Sequence, residues 1–157
     1  TNFLIKLSAH MDGQDEQKIG SYFHVLNDLE RIGNHAENVH EIGIETIGKN
    51  ISFSDIARSG IIIMRDTVMQ MFAIAKDAFE NLHREQLPAL TNHEEDVDCM
   101  KKKLIASLFV RLAEGNCSVD VSPYYSSVIV GLERVADHLV NVGYSIVNPT
   151  GSQNEDM

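Results

Sequence analysis

LERVADHLVN, residues 132–141, repeats with few changes a phrase that stands earlier in the chain, LERIGNHAEN at 29–38. The register extends beyond the phrase. Residues 25–39 laid on 128–142 share Val25, Leu29, Glu30, Arg31, His35, Asn38 and Val39, seven identities in fifteen positions. Tyr22 falls on Tyr125, and after a small shift FLIKL (3–7) parallels LFVRL (108–112). A repeat of this kind is the mark of a duplicated structural unit.

The spacing of apolar residues around the repeat is helical nearly throughout. Residues 1–11 read as the end of a helix, followed by a polar turn, DGQD. A long helix over 16–47 carries Ile19, Phe23, Leu26, Leu29, Ile32, Val39 and Ile42, and is closed by Gly48 and Asn50. Ser52 and Ser54 offer N-caps to a second helix that runs to about Arg84. A third covers about 89–114 and stops at Gly115-Asn116. A fourth runs from about Pro123 to Val147, and 148–157 is a polar tail. Met64, Met69 and Met71 suit the core. The fold expected is all-α, with antiparallel, up-and-down helices joined by short turns. It divides into a first three-helix repeat truncated at its N-terminus (1–50), a complete second repeat (51–148) and the tail (149–157). Thr1 leads straight into NFLIKL, so the chain reads as one that begins partway through an element of a longer protein.

Bulk composition narrows the function. The 157 residues are 43% hydrophobic and 23% charged, as in an ordinary globular domain. The net charge of -10, with no basic face beyond Lys101–Lys103, argues against a nucleic-acid partner. It suits multivalent cations better. No apolar run approaches a membrane span, and no signal peptide is evident. Cys99 and Cys117 read as two reduced thiols.

On a helical wheel Leu29, Ile32, Gly33, Ala36 and Val39 form a buried stripe. Glu30, Asn34 and Asn38 form a ridge turned away from it. Glu133, Asp137 and Asn141 repeat that ridge, beside a stripe of Leu132, Val135, Ala136, Leu139 and Val142. Two carboxylates four residues apart share one patch of helix and repel each other, which invites a cation or a base. HEEDVD, 93–98, offers a matching pair, Glu94 and Asp98. If the third and fourth helices pack antiparallel, Glu94, Asp98, Glu133 and Asp137 converge as an oxygen-rich site suited to Mg, Mn or Fe. His35 and His138 lie at the edge of the buried stripe, and Arg31 and Arg134 point elsewhere toward weak surface pairs. Two Glu-x-x-His pairs, Glu37–His40 and Glu80–His83, have the spacing of di-iron helical-bundle oxidoreductases. They lack further Glu ligands in register and read as chance pairs.

LERIGNHAENV, LERVADHLVNV and the acidic HEEDVD resemble the E(D)xxxD motifs of the PhoU family. FLIKLS, ISFSDIA and the run from Lys101 to His138 look more specifically like the C-terminal PhoU-like domain of bacterial sodium/phosphate cotransporter family proteins. The resemblance covers residues 1–147. It implies paired three-helix bundles whose surface carboxylates bind iron or zinc clusters, with manganese or magnesium as other candidates. It maps the ligands onto Glu94, Asp98, Glu133 and Asp137, and onto Glu30 with Asn34. Asn34 replaces a carboxylate, so the first cluster is expected to be the weaker. The implied role is non-enzymatic: regulation of phosphate uptake on the cytoplasmic face of the membrane, tethered through a transporter region ahead of Thr1. The partners to expect are then that transporter's membrane domain or a sensor kinase, with a homo-oligomer as a further expectation. A di-iron-type oxidoreductase and a metal-free helical scaffold are the competing readings.

Overall fold

Four α-helices account for most of residues 13–145, the part of the chain that the computed structural model describes: α1 (Gly13–Gly48), α2 (Asp55–Asn81), α3 (Leu87–Ala113) and α4 (Ser122–Tyr144). A single 3-10 turn, Arg84–Gln86, joins α2 to α3. The expected helix over 1–11 and the tail over 148–157 lie outside the described residues. The DGQD turn is not found as such, because Gly13 to Asp15 already belong to α1.

Local chemistry sets the helix ends. Asn50 adopts φ 52, and Ile51 N–H donates to Thr46 O at 2.9 Å while Asn50 N–H donates to Ile47 O at 3.1 Å. This double closure caps the last carbonyls of α1. Gly115, at φ 72, does the same for α3, with Asn116 N–H on Arg111 O at 2.8 Å. Ser54 accepts from Ala57 N–H at 3.3 Å and starts α2. Helix α2 ends at Asn81, earlier than its pattern suggests, because Leu82 turns to φ 59.

Helices α2, α3 and α4 form an up-down-up bundle. The Thr91 and Tyr144 hydroxyls meet at 2.8 Å near one end of the α3–α4 seam, and Lys101 reaches Glu133 further along it, so these two helices are antiparallel. The core is Met64, Val68, Met71 and Ala75 from α2, Leu90, Val97 and Leu108 from α3, and Tyr125, Ile129, Ala136 and Leu139 from α4. Each large side chain buried this way contributes roughly 1.5–3 kcal/mol. Met69 is exposed, so of the three methionines only Met64 and Met71 fill the core. Gly143 admits Leu90: a Cβ there would lie 2.5 Å from Leu90 Cδ2.

Helix α1 lies antiparallel along α4, with Glu45 held by the Tyr124 hydroxyl at one end and Asp28 by His138 toward the other. Its N-terminal part also touches α2, through Tyr22 set edge-on to Phe79. The apolar stripe expected on α1 is only partly covered. Val25 is buried, whereas Leu26, Leu29, Ile44 and Ile47 are exposed. Among the described residues no helix is long and apolar enough to cross a membrane.

Candidate functional site

The antiparallel seam of α3 and α4 sets the four expected carboxylates within range of one another's charge. Burial raises the Glu94 carboxyl above its ordinary range, and the charges of Asp98, Asp137, Glu95 and Glu133 push it further. Asp137 is raised by burial and by Glu133 and Asp98, against the opposing pull of Arg134 and Lys101. Groups that shift one another in this way share one electrostatic field.

Glu133 is the centre of this cluster. The wheel placed it on an outward ridge, but it is buried, with 6% of its surface exposed. The reason is that α4 is flanked by α1, α2 and α3, so a single buried stripe underestimates what is covered. Lys101 Nζ donates to Glu133 Oε1 at 2.6 Å. Glu133 Oε2 is buried without a hydrogen-bond partner. Arg134 does not point elsewhere: it approaches Glu133 at 3.7 Å and Asp137 at 3.5 Å, in exposed and weak pairs. Lys102 lies 3.4 Å from Asp98.

Oxygen donors of this kind suit hard or borderline cations, and Glu133 Oε2 is a buried acceptor without a hydrogen bond, approached by Arg134 Nε at 3.7 Å. The residues therefore fit a cation in chemistry. Their side chains are not arranged for one: among the described residues no three His, Cys, Asp or Glu side chains form a group that could hold a metal ion. The Lys101 ammonium already supplies positive charge to Glu133. Glu30 and Asn34 are exposed on α1. The Glu-x-x-His pairs are not joined either, since Glu37 and His40 are exposed on α1 and His83 is bound to Asp77 at 2.8 Å.

Sequence reasoning missed how the two copies of the repeat face each other. His35 and His138 stack, with ring centroids 5.7 Å apart and planes at 19°. Equivalent residues meeting across an antiparallel pair imply a local two-fold relation between α1 and α4. The relation is broken at one point. Asp28 accepts from His138 Nδ1–H at 2.8 Å and from Asn141 Nδ2 at 3.2 Å. The position equivalent to Asp28 is Gly131, and there a groove of about 550 Å³ opens beside His35, Asn38 and Arg134. The only signal in the sequence was the Asp-to-Gly difference within the aligned repeat.

Residues 61–146, more than half of the chain, match the PhoU domain. The chain belongs to the PhoU family. Its all-α bundle is the fold expected of a PhoU domain. The chain is 27% identical over 77% of its length to the phosphate-specific transport system accessory protein PhoU homolog 1 of Thermotoga maritima. It is 24% identical over 92% of its length to the corresponding PhoU homolog of Clostridium acetobutylicum. It spans 51% of the first relative and 64% of the second. No solved structure matches the chain.

Proposed function

We propose that this PhoU domain is a non-enzymatic regulator of phosphate uptake that responds to metal at the α3–α4 seam. The role is supported by family membership and by the two relatives, both named as accessory proteins of phosphate transport. The metal reading is carried by one observation: the buried Glu133 carboxylate, half neutralised by Lys101 and half unpartnered, set among Glu94, Asp98 and Asp137.

In this reading Glu94, Asp98, Glu133 and Asp137 hold the ion, with iron or zinc the first candidates and manganese or magnesium the others. A bound cation would add to the positive charge that Lys101 and, at longer range, Arg134 now provide. Lys101 then acts as a competitor, holding the seam together when the ion is absent. Glu30 and Asn34 would hold metal weakly or not at all, since an amide is a poor ligand for such ions. The resemblance to sodium/phosphate cotransporter domains supports a cytoplasmic position beside a transporter's membrane domain. A sensor kinase is the other partner to test.

Metal content of protein purified without chelator tests the proposal. Carboxylate-bound iron, zinc or manganese should be present, vanish in Glu133→Ala and survive in Glu80→Ala. Loss in Glu80→Ala alone, with oxygen-dependent colour, would favour the oxidoreductase reading. Metal absent at any stoichiometry, with partner binding unchanged in Glu133→Ala/Asp137→Ala, would leave a scaffold.

A further inference from the structure

A second polar site lies at the far end of the bundle from the α1–α2 contact, where the α1–α2 linker, the end of α3 and the loop before α4 meet. They enclose a cavity of about 310 Å³. Its walls include Ser52, Ser54, Arg111, Asn116, Ser118 and Tyr125, and among the described residues no aspartate or glutamate lines it. In a chain of net charge -10, a cavity whose polar walls hold one guanidinium and three serines beside Phe53, Leu108 and Val121 is against the trend, although the Asn116 amide is turned to Glu114 at 3.0 Å.

Two of its polar groups are buried and unmet. Arg111 Nη1 donates to Ser107 Oγ at 2.7 Å, but Arg111 Nη2 is buried without a partner. The Tyr125 hydroxyl, on a residue only 1% exposed, also lacks a well-formed hydrogen bond, its polar neighbour being the Arg111 guanidinium itself. Arg111 lies over the Tyr125 ring, 5.3 Å from its centroid, so the guanidinium is fixed in orientation by stacking and by Ser107. Phe53 packs edge-on to the same ring at 5.8 Å. Buried donors left open in this way carry a desolvation cost that a bound acceptor removes. Burial also pushes the Tyr125 phenol up, against the pull of Arg111, so it remains a protonated donor.

The surroundings add to the positive character. Ser54 and Ala57, which both line the cavity, belong to the capped N-terminus of α2, where backbone N–H groups and the helix dipole favour an anion. The repeat register also sets Lys6 against Arg111 and Tyr22 against Tyr125, so each copy spells a cation and a tyrosine at these places.

We propose that this cavity binds a small tetrahedral oxyanion, of the inorganic phosphate class, through Arg111, Tyr125 and the serine-lined start of α2. Donors from three segments surround one volume, which suits four oxygens better than the two of a carboxylate. The site is separate from the Glu133 cluster and does not rest on the metal reading.

Inorganic phosphate titrated into the metal-stripped chain in chelating buffer tests it, read by backbone amide shifts in NMR. Saturable shifts should centre on Ser52, Ser54, Ala57 and Asn116. Arg111→Gln should weaken binding at least about ten-fold, as loss of a charge-assisted donor implies. Tyr125→Phe, which keeps the ring, should weaken it about three-fold. Glu133→Gln should bind as the parent does, which separates this site from any metal-borne phosphate. O-phosphoserine in a parallel titration distinguishes the source. Exclusion of the ester marks a free-anion site, and tighter binding marks a site for a phosphorylated group. Two results overturn the proposal: no saturable shift up to about 10 mM phosphate, or equal binding by a folded Arg111→Gln protein.

Discussion

Asp28 of α1 holds two side chains of α4 at once, accepting from His138 at 2.8 Å and from Asn141 at 3.2 Å. Both acceptor and histidine are largely buried. Asp28 is thus one polar anchor of α1, with Glu45 on Tyr124 toward the other end. Asp28→Ala should cost about 1–3 kcal/mol, and the loss should be local. Hydrogen exchange is expected to show α1 amides opening while those of α2, α3 and α4 keep their protection. Uniform loss across all four helices would contradict this.

The opposite side of the same helix pair lacks that carboxylate, because Gly131 stands where Asp28 does. A Cβ on Gly131 would lie 2.9 Å from Val39 Cγ2, so a direct replacement is obstructed. In a Val39→Ala background, Gly131→Asp should place an acceptor beside His35 and Asn38 and regain about 1 kcal/mol. Tm of the double variant is compared with that of Val39→Ala alone, and a lower value would show that the local two-fold relation does not extend to this contact.

Lys101 should matter most when no metal is present. Lys101→Gln leaves the buried Glu133 with only the exposed Arg134, 3.7 Å away, as a cationic neighbour, at a cost of about 1–3 kcal/mol. Added zinc or manganese is expected to restore part of that loss, and to bind the variant more tightly than the parent. Chemical denaturation with and without metal measures both effects. A variant as stable as the parent in chelator would show that the Lys101–Glu133 contact contributes little.

Leu82 occupies the left-handed region at φ 59 with 65% of its surface exposed. It loses little packing if shortened and carries the steric cost of its Cβ. Leu82→Gly should therefore stabilise the protein by about 1 kcal/mol. Thermal melting is sufficient to see it, and destabilisation would mean that the leucine side chain is held by contacts.

The turn after α2 should be sensitive to pH. Asp77 accepts from His83, Asn81 and Gln86. The hydrogen bond to Asp77 raises the His83 imidazole above its ordinary value of 6.5, and the same pairing lowers Asp77. A histidine raised on folding stabilises fully below its unfolded pKa and loses that contribution as pH rises through the folded value. Amides of 82–86 should exchange faster as pH is raised from 6 to 8, after correction for intrinsic rates. Asp77→Asn should remove the dependence.

Much of the helical layout was legible in the sequence because its signals are local. The stops at Asn50 and Gly115, the Ser54 cap and the 3.6-residue pattern each act within a few residues. The pairing of Glu94 and Asp98 with Glu133 and Asp137 needed one further step, the antiparallel packing of α3 on α4. Three things were not legible. Glu133 is buried because three helices flank α4, and a wheel drawn for one helix has no knowledge of the others. Leu82 ends α2 by its backbone conformation, which no side-chain pattern announces. The Arg111–Tyr125 cavity depends on a linker and a loop meeting in space, although its two key residues stand far from each other in pattern.

Helix α4 turns Glu133 toward Lys101 on α3 and His138 toward Asp28 on α1. The two contacts ride on the same cylinder. A roll of that cylinder about its own axis would tighten one seam while loosening the other, much as a shared axle links two wheels. An event on α3 could thus be read on α1 with no relay of intermediate side chains, and the cost of disengaging one seam would set the threshold for the other.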